Sequence, residues 1–416
     1  MLNIIPILII LSSLFFSVKA TNSWISPGSF FNTFWLIGII FPLIFAPEFY
    51  VNFYGLMYIA TISMSCSSGS VLASIISLKK SYNYKKNLIN NKQRYALHYP
   101  LILFVFITLF GVINLLVFTS SSYSLPLNVN NLLLIPNLIS IDRYNEALDY
   151  PIYVTYPLYF NYPSNIIAGV LICKAREKFA IKAMCFIPLL LSILIGIIEG
   201  ARSGILLGLI LFVSTIISTK ARESQGLLNI SFIKISFLGL FIIISFTTFF
   251  VYIQWLRQGL DALLLDFMIL KIKAYFFGYL SAFTVWFENI DTFLKPKTLL
   301  STFAGPMNLF GLLERNLGFY EPIIINDFTS TNIFTSFRGL INDFSLLGVV
   351  FVMFFFGFYF QLEFQKESKN EIEGIIPLSI FYSFTIYSPL ISIFHYNSIV
   401  FSWLIAFFVF KIFITK

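Results

Sequence analysis

Charge is what this sequence has least of: Asp, Glu, Lys and Arg make up 11% of its 416 residues, against 58% hydrophobic residues. That ratio excludes a soluble globular domain, which carries about a quarter of its residues as charged side chains. Histidine is almost missing, with only His98 and His395 present, so a histidine-ligated metal is not indicated. The three cysteines, Cys66, Cys173 and Cys185, all fall in or beside apolar runs, which points to neither a disulfide framework nor a thiolate metal site. There is no HExxH, no Walker A loop, no GxGxxG, no CxxC and no DxD pair to hold a divalent ion for a nucleotide sugar. No cofactor is therefore expected, and any chemistry must draw on an ion gradient or on an activated substrate.

What is present is a series of apolar runs near the 20 residues that cross a bilayer as helix. Eleven candidate spans can be marked, at about 2–18, 29–46, 50–78, 99–119, 153–173, 183–198, 203–219, 228–253, 345–362, 375–391 and 397–413. The fold class is thus an all-α polytopic membrane protein of about 11 transmembrane helices, with 10 to 12 as the range. The third run is long enough to break at "SCSSGS", Ser65 to Ser70. The first run loosely mimics a signal peptide, but it lacks a positive n-region and another apolar run follows, so a retained first helix is expected.

Short basic loops recur at alternate positions: "KKSYNYKKNLINNKQR", "KAREKFAIK", "KARE" and "KESKNEIE". Lys and Arg in short loops mark the cytoplasmic side, which accounts for the net charge of +8 without nucleic acid. The alternation leaves two long external segments, 120–153 and 254–344, within one integral membrane domain, 1–416. The second contains "LDALLLDFMILKIKAYFFGYLSAFTVWF", whose helical-period apolar residues fit amphipathic helices on or in the outer leaflet. The work is expected on the external face, under a large ordered loop.

Five of the eight arginines fall outside on this topology: Arg143, Arg202, Arg257, Arg315 and Arg338. The planar guanidinium fork binds phosphate or carboxylate bidentately and stays charged, so it can hold a pyrophosphate without metal. Each has a blander reading. Arg257, in "QWLRQG", fits snorkelling to lipid phosphate equally well. Arg143, in "IDRYNE", fits an ion pair with Asp142 or Glu146 on a solvated loop.

The stretch "EGARSG", Glu199 to Gly204, joins two apolar runs with almost no soluble loop. Ionisable residues so near hydrocarbon tend to face a polar cavity, with Gly200 and Gly204 allowing close backbone approach. An i,i+3 pair between Glu199 and Arg202 is an equal alternative. In "TNIFTSFRGLINDFSLLGVVF", Asn332, Thr335, Arg338, Asn342 and Asp343 crowd the approach to the ninth span. There Asp343 can act as a helix N-terminal cap, which leaves Arg338 unexplained. "YPIYVTYPLYFNYP", with Tyr153 and Tyr156, offers rings on which sugars stack, or an interfacial aromatic belt. His395, at an external turn, is suited to base chemistry near neutral pH or to a plain polar role.

The two long external loops, "GARSGILLGLIL" and "TNIFTSFRGLINDFSLLGVVF" together resemble the Wzy-type O-antigen (oligosaccharide repeat unit) polymerases of bacterial inner membranes. The resemblance implies a multi-helix, GT-C-like glycosyltransferase that is metal-independent and has its site in the large periplasmic loop. Such enzymes move a growing glycan from undecaprenyl pyrophosphate to the next lipid-linked repeat unit, alongside a flippase and a chain-length regulator of the same pathway. Carried onto this chain, the matched segments give Arg202 and Arg338 as pyrophosphate ligands, with Asp343 the acid after them; residue chemistry adds Arg315 and Arg257 as further pyrophosphate candidates, and Asn332, Asn342, Tyr153 and Tyr156 as candidates against the glycan. Asp343, Glu199, Glu314 and His395 are then the candidate bases. The chain departs from the family pattern twice: nine residues instead of ten separate Arg338 from Gly348, and the common Asp-Phe-Gly is Asp343-Phe344-Ser345. An O-antigen ligase is one alternative. A lipid-linked oligosaccharide flippase is another, disfavoured by the scarcity of mid-span charge and of internal repeats.

Overall fold

The computed structural model describes residues 3–81, 96–126, 128–145, 150–174, 179–223, 251–256, 265–290, 300–313, 320–327, 329–366 and 374–413. In chain order the helices are α1 (Ile4–Thr21), α2 (Pro27–Phe45), α3 (Phe53–Ser81), α4 (His98–Ser122), α5 (Val129–Tyr144), α6 (Ile152–Tyr159), α7 (Asn161–Lys174), α8 (Phe179–Met184), α9 (Ile187–Ile198) and α10 (Arg202–Glu223). They continue with α11 (Leu265–Glu288), α12 (Ala304–Leu309), α13 (Ser336–Gln365), α14 (Ile375–Tyr387) and α15 (Asn397–Phe413). A small antiparallel hairpin of β1 (Ile323–Asn326) and β2 (Thr329–Thr331) precedes α13.

Seven helical stretches among the described residues are long and apolar enough to span a membrane: α1, α2, α3, α4, α8 with α9, α10 and α13. The shorter apolar helices α14 and α15 coincide with the last two expected spans. The expected span 153–173 is instead two helices, α6 and α7, meeting at Phe160. Pro157 and Pro163 bracket that joint, and each removes a backbone donor that a continuous helix would need. The expected span 228–253 lies outside the described residues except for 251–253.

The chain packs as two compact units: 1–91, 217–227 and 271–400 form the first, and 92–216, 228–270 and 401–416 the second. In the first, α13 lies along α3. A Cβ at Gly69 would collide with the Phe354 carbonyl, and one at Gly357 with the Cys66 carbonyl, so these two backbones touch where glycine permits it. "SCSSGS" is therefore the crossing face of one unbroken helix and not a break in it. Hydroxyls reinforce the crossing: Ser65 donates to the Val350 carbonyl at 2.6 Å and Ser70 to Gln361 Oε1 at 2.8 Å. A buried Ser17, Ser29, Asn32 and Ser67 network ties α1, α2 and α3, polar contacts that replace the hydrophobic drive missing between helices in lipid.

In the second unit, α4 packs on α6, α7 and α9. Asn161 and Asn165 both donate to Ser192 Oγ, at 2.7 and 3.2 Å. At "EGARSG" the Ala201 N–H reaches the Gly196 carbonyl at 2.9 Å, and the Gly200 N–H that of Ile197 at 3.2 Å. With Gly200 at φ +60°, this is a Schellman ending to α9. A side chain at Gly204 would meet only an ordinary contact, Tyr162 Oη at 3.6 Å; the turn requires Gly200 but not Gly204.

Candidate functional site

The first unit gathers Asn332, Arg338, Asn342, Asp343 and His395. Arg338 is the third residue of α13. Its guanidinium carbon lies 4.0 Å from the ring centre of Phe334, 4.1 Å from Tyr320 and 5.2 Å from Trp286. Phe334 and Tyr320 themselves meet edge to face, 5.4 Å apart at 72°, so the cation sits in the corner between two perpendicular rings. Each such contact contributes roughly 0.5–2 kcal/mol, more where water is excluded. Among the described residues, no carboxylate lies within ion-pairing distance of Arg338, and its Nε is buried without a hydrogen-bond partner. Burial pushes the Tyr320 phenol above its ordinary range, with Arg338 opposing the shift.

Thr335 has the extended backbone of an N-cap, yet its hydroxyl makes no capping bond. That hydroxyl and the one on Ser336 are fully buried and have no partner. The Ser336 N–H is held by the Ser388 carbonyl at 2.7 Å, which fixes the start of α13 on the end of α14. Asp343 is occupied by the protein itself: its two oxygens accept the backbone N–H of Ser301 at 3.0 Å and of Thr302 at 2.6 Å. It pins the 300–302 turn to α13 and caps no helix. Two residues on, Ser345 breaks the helical geometry with φ 64° and ψ 173°, a region populated almost only by glycine.

His395 is buried at the end of a short 3-10 turn. Its ring meets Tyr396 edge-on at 5.6 Å, and the Tyr396 hydroxyl is 2.9 Å from that of Tyr387. Asn332 is exposed and Asn342 half-buried. A polar bridge lies beside the aromatic corner's hydrophobic cluster, where Lys273 on α11 pairs with Glu48 at 2.6 Å. Desolvation acts to raise the Glu48 carboxyl, but the hydrogen bond and charge of Lys273 bring the net shift below the usual value.

The second unit holds Glu199, Arg202, Tyr153 and Tyr156. Glu199 pairs with Arg143 at 3.9 Å, a partner from α5 and not its sequence neighbour Arg202. Burial raises the Glu199 carboxyl above its ordinary value, and Arg143 only partly offsets this. Arg143 thus does not pair with Asp142, which instead accepts the Tyr123 hydroxyl at 2.7 Å. Burial and then the Glu199 charge raise the nearby Tyr150 phenol, with Arg143 opposing. Arg202 opens α10 half-buried. Tyr153, Tyr156 and Tyr159 are exposed at a three-residue interval on α6, an outward stripe.

Arg257, Glu314 and Arg315 lie outside the described residues. The sequence reading missed Trp286, Tyr320 and Phe334. None of the three carried a helical-spacing signal, since even Phe334, four residues before Arg338, lies ahead of the α13 N-cap. No family model, curated protein or solved structure matches the chain.

Proposed function

We propose that this protein polymerises lipid-linked oligosaccharide repeat units, transferring a growing glycan from undecaprenyl pyrophosphate to the next lipid-linked unit without a metal. The observation that carries this reading is Arg338, a cation held by aromatic faces at the start of a membrane-length helix, with no carboxylate paired to it among the described residues. Such a group is available to an anion. A glycosyl diphosphate is already activated: the acceptor hydroxyl attacks the anomeric carbon, the bond to the diphosphate oxygen breaks, and that oxygen leaves with the electron pair. Arg338 stabilises the charge that develops there, and a base removes the hydroxyl proton. His395 is the described candidate for the base in the unit that holds Arg338; Asp343 is engaged by two backbone N–H groups.

The test is complementation of a polymerase-null strain, scored by the lipopolysaccharide ladder. Wild type restores the ladder. Arg338→Ala loses about a hundredfold in rate, the roughly 3 kcal/mol of one cationic contact, with membrane levels unchanged. A normal ladder from Arg338→Ala overturns the reading. A ligase differs visibly, because its loss removes all polymer from the lipid core while polymerase loss leaves single repeat units.

A further inference from the structure

A groove of about 750 Å³ runs between α1 and α3 in the first unit. The two helices run the same way: Asn32 donates to both Ser13 and Ser67, and further along the Ser74 hydroxyl donates to the Ala20 carbonyl at 3.2 Å. α13 is also parallel to α3, with Tyr58 donating to the Leu346 carbonyl and Ser70 to Gln361. Arg338, at the start of α13, therefore stands at the opposite end from the last turns of α1 and α3. Four serines line the groove: Ser12, Ser13, Ser67 and Ser68. Three of them are engaged by the protein, since Ser13 and Ser67 accept from Asn32 and Ser68 donates to the Met64 carbonyl at 2.8 Å. Hydroxyls satisfied within the helices leave carbon surface to the groove, which suits an alkyl chain better than a hydrogen-bonding ligand. The outermost side chains are bulky: Leu8, Phe16, Met64, Leu72 and Ile75 are exposed, with Ser13 and Ser67 buried beneath them. A partner helix packs closely where small residues stand outermost, so this arrangement holds a helix off while admitting a flexible chain.

The groove ends among cations. Lys19 follows Ser12 by seven residues and Phe16 by three, which places it on the groove face of α1, and it is exposed. Lys79 and Lys80 fall in the last turn of α3, which ends at Ser81, and the sequence from Lys79 to Lys86 reads "KKSYNYKK". Basic residues gathered at the ends of membrane helices attract anionic headgroups. We propose that the groove between α1 and α3 holds an acyl chain of an anionic phospholipid, with the headgroup phosphate at the Lys19 end. Both helices are long and apolar enough to span a membrane, so the chain stays in hydrocarbon while the phosphate meets the basic residues where the helices leave it. This lipid site is independent of the polymerase reading, because Arg338 lies at the other end of the parallel helices.

The test uses the full-length protein in a neutral detergent, with phosphatidylglycerol and phosphatidylcholine that carry the same photoreactive acyl chain, and maps the labelled peptides by mass spectrometry. Phosphatidylglycerol is expected to label α1 between Ile5 and Phe16 and α3 between Met64 and Ile75, and unlabelled phosphatidylglycerol to compete. Lys19→Gln is expected to weaken that competition about fivefold, the equivalent of roughly 1 kcal/mol for one basic residue, and to leave phosphatidylcholine labelling as it was. Lys411→Gln, in the last turn of α15, is the control for a plain loss of charge and should change nothing. Ser12→Phe fills the groove from an exposed position and is expected to abolish the labelling with an unchanged melting temperature; should it unfold, Lys19→Gln decides alone. Equal labelling by the two lipids, unaffected by Lys19→Gln, overturns the headgroup assignment. Competition by a polyprenyl phosphate but not by phosphatidylglycerol gives the groove to a polyprenyl chain and overturns the proposal as well. A cross-link between two copies through α1 or α3, in place of lipid labelling, does the same.

Discussion

Asp343 accepts the Thr302 backbone N–H at 2.6 Å and that of Ser301 on its other oxygen, making a carboxylate the clip between α13 and the turn before α12. A carboxylate so engaged has a positioning task. Asp343→Asn turns one acceptor into a donor facing an N–H, and loss of that bond is expected to lower stability by about 1–3 kcal/mol. Thermal unfolding in detergent measures it. A variant that melts like wild type yet makes no polymer would instead return Asp343 to the role of general base.

The corner that holds Arg338 makes a separate prediction about shape. Phe334→Leu keeps an apolar side chain but removes a ring face 4.0 Å from the guanidinium, so polymer formation should fall by about three- to tenfold, the loss of one cation–π contact. Phe334→Tyr preserves the face and should preserve the ladder. Arg338→Lys keeps the charge and loses the planar fork, and should behave nearly like alanine if two parallel bonds to the anion are required. Equal ladders from Phe334→Leu and Phe334→Tyr would show that the ring does no more than fill space.

Ser345 has φ 64° and ψ 173°, a conformation that holds a side chain at an expense of about 1–3 kcal/mol. Ser345→Gly should recover part of that strain and raise the melting temperature, while Ser345→Ala should not. Because α13 changes direction there, the glycine variant also asks whether the strained serine matters to the ladder. A lower melting temperature for Ser345→Gly would mean that its hydroxyl, and not its backbone, decides the site.

Much of the helical framework was readable because lipid solvation writes itself into composition. α1, α2, α4 and α10 fall within a few residues of the apolar runs that announced them. Hydropathy failed where polarity serves packing. It placed the start of the ninth span at 345, yet α13 begins at Ser336, because Asp343 is buried against the 301–302 backbone and Arg338 lies against rings. It also left room for a break at "SCSSGS", since small hydroxylated residues resemble a loop until a second helix lies against them. The aromatic corner was illegible for a different reason. Trp286, Tyr320 and Phe334 come from α11, the segment before β1 and the segment after β2, and no local periodicity links them. Glu199 and Arg143 were each noticed, but pairing across α5 and α9 is a property of packing that spacing does not encode.

That pair yields the last prediction, in which pH is the variable. Burial raises the folded-state value of the Glu199 carboxyl above 4.5, and Arg143 at 3.9 Å does not cancel the effect. A carboxyl whose value is raised by folding binds its proton more tightly in the native state. Its stabilising effect is therefore complete below about 4.5 and fades as pH rises through the raised value. Between that range and neutrality the wild-type melting temperature should fall with pH more steeply than that of Glu199→Gln, whose amide does not titrate. The difference between the two curves isolates Glu199 from every other carboxylate in the chain. Parallel curves from pH 4 to pH 8 would mean that Arg143 fully neutralises the half-buried acid, and Glu199 would then stand as a plain ion pair with no proton to exchange.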